Sequence, residues 1–292
     1  MSTTALALCR FAHVLAAMLI FGSSAYLRLT ASVDLRNALS PRIRLLAIGA
    51  SVIALATACL WLSLEAASMA DDWSAATDPG AVEAVLTDTA FGRAWIAHLV
   101  LAAALVVAAV VAQRGRWTAI AVLSGLMLAS LALVGHAAMQ TGLLGLAHRA
   151  NHAVHLLAAG AWIGGLLPFV MCLDATARNA VRRDAVAAMM SFSFWGHFVV
   201  AAIVATGIVD IALTSGHAPL PPTTPYRALL DVKIALVALM IGLAVVNRYV
   251  VVPRLKARPD ALGALRAISL ANVGLGTIVV ALVSVFALFD PA

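Results

Sequence analysis

Eight histidines, three cysteines and nine methionines are the side chains of this 292-residue chain best suited to hold a soft or borderline metal ion. The densest cluster is HRANHAVHLLAAGAWIGGLLPF, from His148 to Phe169. Its His148, His152 and His155 stand at i, i+4 and i+7, one face of a helix provided that the helix begins early enough. A second group, CRFAHVLAAM, carries Cys9, His13 and Met18; a third, GHAAMQTG, carries His136, Met139 and Gln140. His98, His197 and His217 stand alone. Imidazole with soft sulfur suits copper better than magnesium or calcium, while histidines at equal depth on facing helices suit the axial positions of haem. Cys9, Cys59 and Cys172 form no CxxC pair, which argues against a disulfide framework and against zinc. Neither a nucleotide-binding loop nor a recognisable nucleophile and base is present, so no ATP-driven pumping and no hydrolytic catalysis is expected.

A membrane must position these residues. Apolar residues make up 63% of the chain and charged ones 11%, far from the balance of a soluble domain. Crossing a hydrocarbon core of about 30 Å takes about 20 apolar residues. Eight stretches qualify, near 5–28, 44–68, 91–112, 117–140, 151–173, 186–213, 227–251 and 266–289. The expected fold is all-α, one bundle of eight transmembrane helices made of two four-helix halves, 1–145 and 146–292. Lys and Arg fall in every second connection, from Arg28 to Arg44, at Arg114 and Arg116, from Arg178 to Arg183 and from Arg248 to Arg266. These fourteen oppose five on the other side. The positive-inside rule then puts both termini outside. That orientation accounts for the net charge of +6 without a nucleic-acid partner. No positive residue precedes Arg10, and the apolar run behind it is long enough to remain as a span, so the first segment reads as a retained helix.

With the topology set, the helical rise of 1.5 Å per residue gives depth. His217, His148 and His152 fall at the outer surface, His136 and His155 about one turn in, His13 and His98 about two turns in, and His197 near the midplane. The inner half has no histidine and instead holds Met189, Met190 and Cys172. Ionisable groups inside a bilayer are costly and mark sites. A single one often makes only an interhelical hydrogen bond; five on five helices in one half favour a ligand. The expected metal residues are His13, His98, His136 and His155 as an outer site and His197 as the next station, with His152, Met139 and Cys9 as further candidates.

The loop at 69–92 carries Asp71, Asp72, Asp78, Glu83 and Asp88 with no base until Arg93, an acidic entrance that would concentrate a cation or a basic partner. His148 and the proline-stiffened His217 loop belong with it as entrance or docking residues. Asp210, Asp231 and Lys233 are candidates for a proton site or an ion pair. RFAHVLAA from Arg10 and NHAVHLLAA from Asn151 place His13 and His155 alike, which hints at a parallel duplication.

HAVHLLAAGAWIGGLLPF, a later FWGH and the span opening LLDVKIALV together resemble the copper resistance protein D (CopD) family, most clearly over about 150–290. The resemblance implies a bacterial inner-membrane copper-homeostasis protein that takes copper, Cu(I) or Cu(II), from a periplasmic CopC-type protein and moves it inward. By position, His155 and Trp162 match that family's motif and His197 its mid-membrane histidine. Two other readings stay open. One is a membrane cytochrome with haem b held by histidines such as His13 and His98. The other is a non-transporting anchor or sensor for the periplasmic partner.

Overall fold

Backbone polar groups in hydrocarbon must be satisfied within the chain, and a continuous helix does this locally. The computed structural model describes residues 3–111, 115–214, 224–256, 260–286 and 289, and among the described residues it is helical with no strand. In chain order the helices are α1 (Thr3–Leu29), α2 (Val33–Ala70), the short α3 (Pro79–Asp88), α4 (Ala90–Val111), α5 (Arg116–Ser130), α6 (Gly142–Ala175), α7 (Arg182–Thr214), α8 (Pro225–Val246) and α9 (Ala261–Phe286). All but α3 belong to spans long and apolar enough to cross a membrane, α5 together with the turn that follows it, as Arg116–Leu133. The eight expected spans are therefore present.

One expected span is cut short. α5 ends at Ser130, and two tight 3₁₀ turns, Leu131–Leu133 and Gly135–Ala138, replace its last turns, with Gly135 at φ 73°. His136, Met139 and Gln140 therefore share no helix face. Conversely, α6 begins at Gly142, early enough for His148, His152 and His155 to follow one another along it.

The acidic loop is partly cap chemistry. Asp72 accepts from the Ser74 backbone N–H at 3.0 Å, and Asp78 accepts from that of Gly80 at 3.0 Å to start α3. Hydrogen bonds from the Ser74 hydroxyl and backbone hold the Asp72 carboxyl below the usual carboxylate range. Asp71 ends α2 in a left-handed conformation, φ 49°. All five acids, Glu83 and Asp88 included, remain exposed.

The two halves meet where α1 packs on α6, and this contact explains the GAWIGGLLPF phrase. A Cβ on Gly164 would lie 1.9 Å from the Met18 carbonyl oxygen, and one on Gly22 would lie 2.4 Å from that of Gly160. Only glycine lets the backbones come so close. Pro168 has no N–H and so cannot satisfy the carbonyl four residues earlier, at Gly164. Ser23 Oγ on α1 donates to that oxygen at 3.1 Å.

In the first half, α1 packs on α2 and α5, α2 on α4, and α4 on α5, closing a four-helix ring. In the second, α6 packs on α7 and α9, and α8 on α9, whereas among the described residues α7 and α8 meet only at one end, where Ile211 packs against the cluster of Tyr226, Leu230 and Phe286. A cavity of about 340 Å³ occupies the gap, lined in part by Met189, Met190, His197, Tyr249 and Asn272.

Candidate metal centre

The first-half ring encloses two histidines. His13 on α1 and His98 on α4 are 0% and 1% exposed, and their Nε2 atoms face each other at 3.0 Å. What lies on the other ring nitrogens fixes the chemistry of that contact. His13 Nδ1 is 3.0 Å from the Ala54 carbonyl oxygen and 3.0 Å from Thr57 Oγ1. A carbonyl only accepts, and the Thr57 hydroxyl gives its one proton to the carbonyls of its own helix, Ile53 at 2.6 Å and Ala54 at 3.1 Å. His98 Nδ1 is 2.8 Å from Ser130 Oγ, which also lies 2.7 Å from the Met127 carbonyl. His13 Nδ1 therefore donates, while the Ser130 hydroxyl can turn either to Met127 or to His98 Nδ1. With Ser130 on Met127 the two Nε2 atoms face each other as lone pairs that a shared cation would join; with Ser130 on His98 they form an ordinary hydrogen bond, His98 Nε2–H to His13 Nε2.

Aromatic rings shut the pair off. Trp95 stacks on His98 with centroids 4.5 Å apart and planes 12° apart, and Trp61 meets His13 edge-on at 5.8 Å. Trp95 is itself fixed by donating to the Ala58 carbonyl at 3.0 Å.

The other expected ligands lie elsewhere. Cys9 is buried and donates from Sγ to the Thr57 carbonyl at 3.2 Å. His155 on α6 donates from Nδ1 to Thr206 Oγ1 on α7 at 2.9 Å, because that hydroxyl's proton goes to the Ala202 carbonyl. His152 donates to Asp210 Oδ2 at 2.9 Å. The convergence of His155 with His13 and His98 is replaced by two separate clusters, one in each half. His148, expected at the entrance surface, is instead 2% exposed inside α6, bonded to Gln140 Oε1 at 3.1 Å. Met139 is 66% exposed on the turn that replaced the helix. The side chain of His136 and all of His217 lie outside the described residues. Asp231 pairs with Arg227 one turn earlier, at 2.9 Å, rather than with Lys233. His197 is exposed towards the second-half cavity and bridges to Tyr249 at 3.1 Å. Among the described residues no group of three His, Cys, Asp or Glu is arranged to hold a metal ion. An ion at His13 and His98 therefore has two imidazoles.

Thr57, Ser130, Trp61 and Trp95 surround the pair, and the sequence alone does not single them out. Tryptophan one turn from a histidine, as in WIAH (95–98), is the one signal it offers. The serine and threonine carry none, because their role depends on which helices pack together.

Comparison with known proteins places the chain. Residues 1–146 match the copper resistance protein D-like N-terminal domain, and residues 186–286 match copper resistance protein D. The chain belongs to the copper resistance protein D family. Inner membrane protein YebZ of Escherichia coli (strain K12) is 35% identical over 251 residues, 86% of each chain. Copper resistance protein D of Pseudomonas syringae pv. tomato is 33% identical over 201 residues, covering 66% of this chain and 63% of the relative. Copper transport protein CutJ of Bacillus subtilis (strain 168) is 32% identical over 150 residues, covering 47% of this chain and 26% of the relative. No solved structure matches the chain. Membership and the eight apolar helices make this a multi-pass inner-membrane protein of copper homeostasis.

Partners of ligating histidines orient the ring and raise its basicity, and their loss typically costs 10- to 100-fold in affinity. Ser130→Ala removes the acceptor of His98 Nδ1. With His98 as a copper ligand, the affinity of that variant, measured by competition with a chelator, would fall by about that factor.

Proposed function

We propose that this copper resistance protein D relative carries copper inward across the inner membrane, with His13 and His98 as the site that takes the ion in the outer half of the bilayer. The observation that supports this reading is the pair of buried imidazoles whose Nε2 atoms face each other at 3.0 Å, each ring with an oxygen on its Nδ1. Charge selects the oxidation state. The immediate pair contains no carboxylate, so a bound ion keeps its full charge in a dry, aromatic-walled space, and a monovalent ion costs far less there than a divalent one. Two imidazoles and low charge favour Cu(I) over Cu(II).

Both termini and the acidic loop would then face the periplasm, where a CopC-type copper-binding protein hands over the ion. The exposed Asp71, Asp72, Asp78, Glu83 and Asp88 supply an attractive field for it. Beyond the pair, the second-half cavity offers His197 with Met189 and Met190, soft ligands open towards the arginine-rich face. A transport station must bind firmly enough to admit the ion and loosely enough to release it, which suits two ligands better than a closed cage of four.

Metal analysis with a visible spectrum tests the reading. Purified protein loaded with Cu(I) should hold about one copper and show no Soret band. Its X-ray absorption should report nitrogen neighbours at about 2 Å. A Soret band in protein as isolated would make haem the occupant instead.

A further inference from the structure

The second half repeats the first with one exchange. In each half a histidine on the first spanning helix donates from Nδ1 to a threonine on the second: His13 to Thr57 and His155 to Thr206, at 3.0 and 2.9 Å. Each threonine passes its proton to a carbonyl four residues back. The third spanning helix of the first half brings His98 to this unit. The third of the second half, α8, brings Lys233 within electrostatic reach of His155 and Asp210. An ammonium has no lone pair for a metal. The second-half unit is therefore unsuited to copper and has acquired a carboxylate, Asp210, in its place.

Among the described residues Asp210 is paired with histidines rather than with Lys233. Its Oδ2 accepts from His152 Nδ1 at 2.9 Å, and its Oδ1 accepts from Asn151 Nδ2 at 2.6 Å. The remaining neighbour is His148. Its Nδ1 donates to Gln140 Oε1, and Gln140 is oriented by donating from Nε2 to the Leu213 carbonyl at 2.7 Å. Hence His148 Nε2 carries a lone pair, and it points at Asp210 Oδ1 from 3.7 Å. Two acceptors face each other, in the logic of the copper pair but with a carboxylate on one side.

We propose that Asp210 Oδ1 and His148 Nε2 form the seat of a proton that exchanges for copper. This rests on the reading of His13 and His98 as the copper site. Copper arriving there adds a positive charge to the neighbouring half, across the α1–α6 seam. Like charges in a low dielectric oppose each other, so the proton leaves the seat for water on the side of the acidic loop. The groups that face Asp210 set its balance: His148, His152 and His155 on α6, and Tyr226 and Lys233 on α8. Arg149 acts on His148 from the same helix. Arg227 is engaged with Asp231.

The test is nitrogen NMR of the full chain, ¹⁵N-labelled at histidine, in lipid, between about pH 4 and 9. His148 is assigned by the resonance lost in His148→Gln. Its Nε2 is expected to change from lone pair to N–H within that range, with a midpoint that moves by about one pH unit or more in Asp210→Asn. Adding Cu(I) should move the wild-type midpoint and leave that of His13→Ala in place. A His148 Nε2 that never changes state, or a midpoint indifferent to Asp210→Asn, overturns the seat. A seat that titrates but ignores copper, in protein that binds copper, overturns the exchange. A His148 that titrates in the range and responds to Asp210→Asn, in protein that binds no copper, sinks the copper site and leaves the seat standing.

Discussion

Protein in which His98 is replaced by glutamine should fold, insert and purify like the wild type, yet bind Cu(I) at least about a hundredfold more weakly. The expectation follows from counting hydrogen-bond donors and acceptors around the pair. In the metal-free protein the two Nε2 atoms lie 3.0 Å apart, within hydrogen-bond reach of each other, and with both Nδ1 atoms donating they offer two lone pairs to a cation. Glutamine can donate an N–H to His13 Nε2 and so satisfies the buried acceptor without supplying a metal ligand. Alanine at the same place removes the ligand too but leaves a hole beside Trp95, which stacks on the ring, and costs stability as well. The two variants together separate lost ligation from lost packing. Removing an outer partner alone costs 10- to 100-fold, so removing a ligand of a two-ligand site must cost more. His152→Gln and His155→Gln are the controls, since both rings belong to the other cluster, and both should keep copper affinity within a few fold. If either lowers copper binding as much as His98→Gln, the two-imidazole site is wrong.

Depth along the helices, counted from the sequence, pairs His13 with His98, because two residues equally far from one surface on different spans are candidates to meet. The same count puts His136 and His155 only about one turn shallower and so offers them to that site as well. What separates them is rotation about the helix axis and the order of packing. α1 turns His13 towards α2 and α4, whereas α6 turns His155 towards α7. An alanine- and leucine-rich chain gives little rotational signal, because lipid and helix neighbours are equally apolar. The spans themselves are legible, since hydrocarbon demands long apolar runs. The early end of α5 is not: residues 131–138 are as apolar as the helix before them, and the turn at Gly135 is a backbone choice. The role of Asp210 is half legible. A carboxylate in a span is conspicuous, but its partners come from α6, 58 and 62 residues earlier in the chain.

Gly164→Ala should be strongly destabilising, a single methyl group set against the backbone of the neighbouring helix. In most helices Gly→Ala is favourable by about 1 kcal/mol because alanine loses less freedom. That gain is expected at Gly242, where a new Cβ meets nothing within 4 Å. At Gly164 the new Cβ would lie 1.9 Å from the Met18 carbonyl oxygen and 3.0 Å from Gly22 Cα, so no side chain can yield and α1 itself must move. Overpacking a core commonly costs about 1–3 kcal/mol, and a backbone obstacle puts this substitution at or above the upper end. The displacement has a second cost. Ser23 is drawn away from the Gly164 carbonyl that Pro168 leaves without its helical partner, and an unsatisfied carbonyl in hydrocarbon costs several kcal/mol. Thermal unfolding in detergent should therefore show Gly164→Ala well below the wild type and Gly242→Ala at or slightly above it. Because α1 carries His13, the same variant should also bind Cu(I) less tightly at temperatures where it is still folded. A Gly164→Ala protein as stable as the wild type would mean that α1 and α6 do not touch along this seam, and the two halves would then have to communicate by another route.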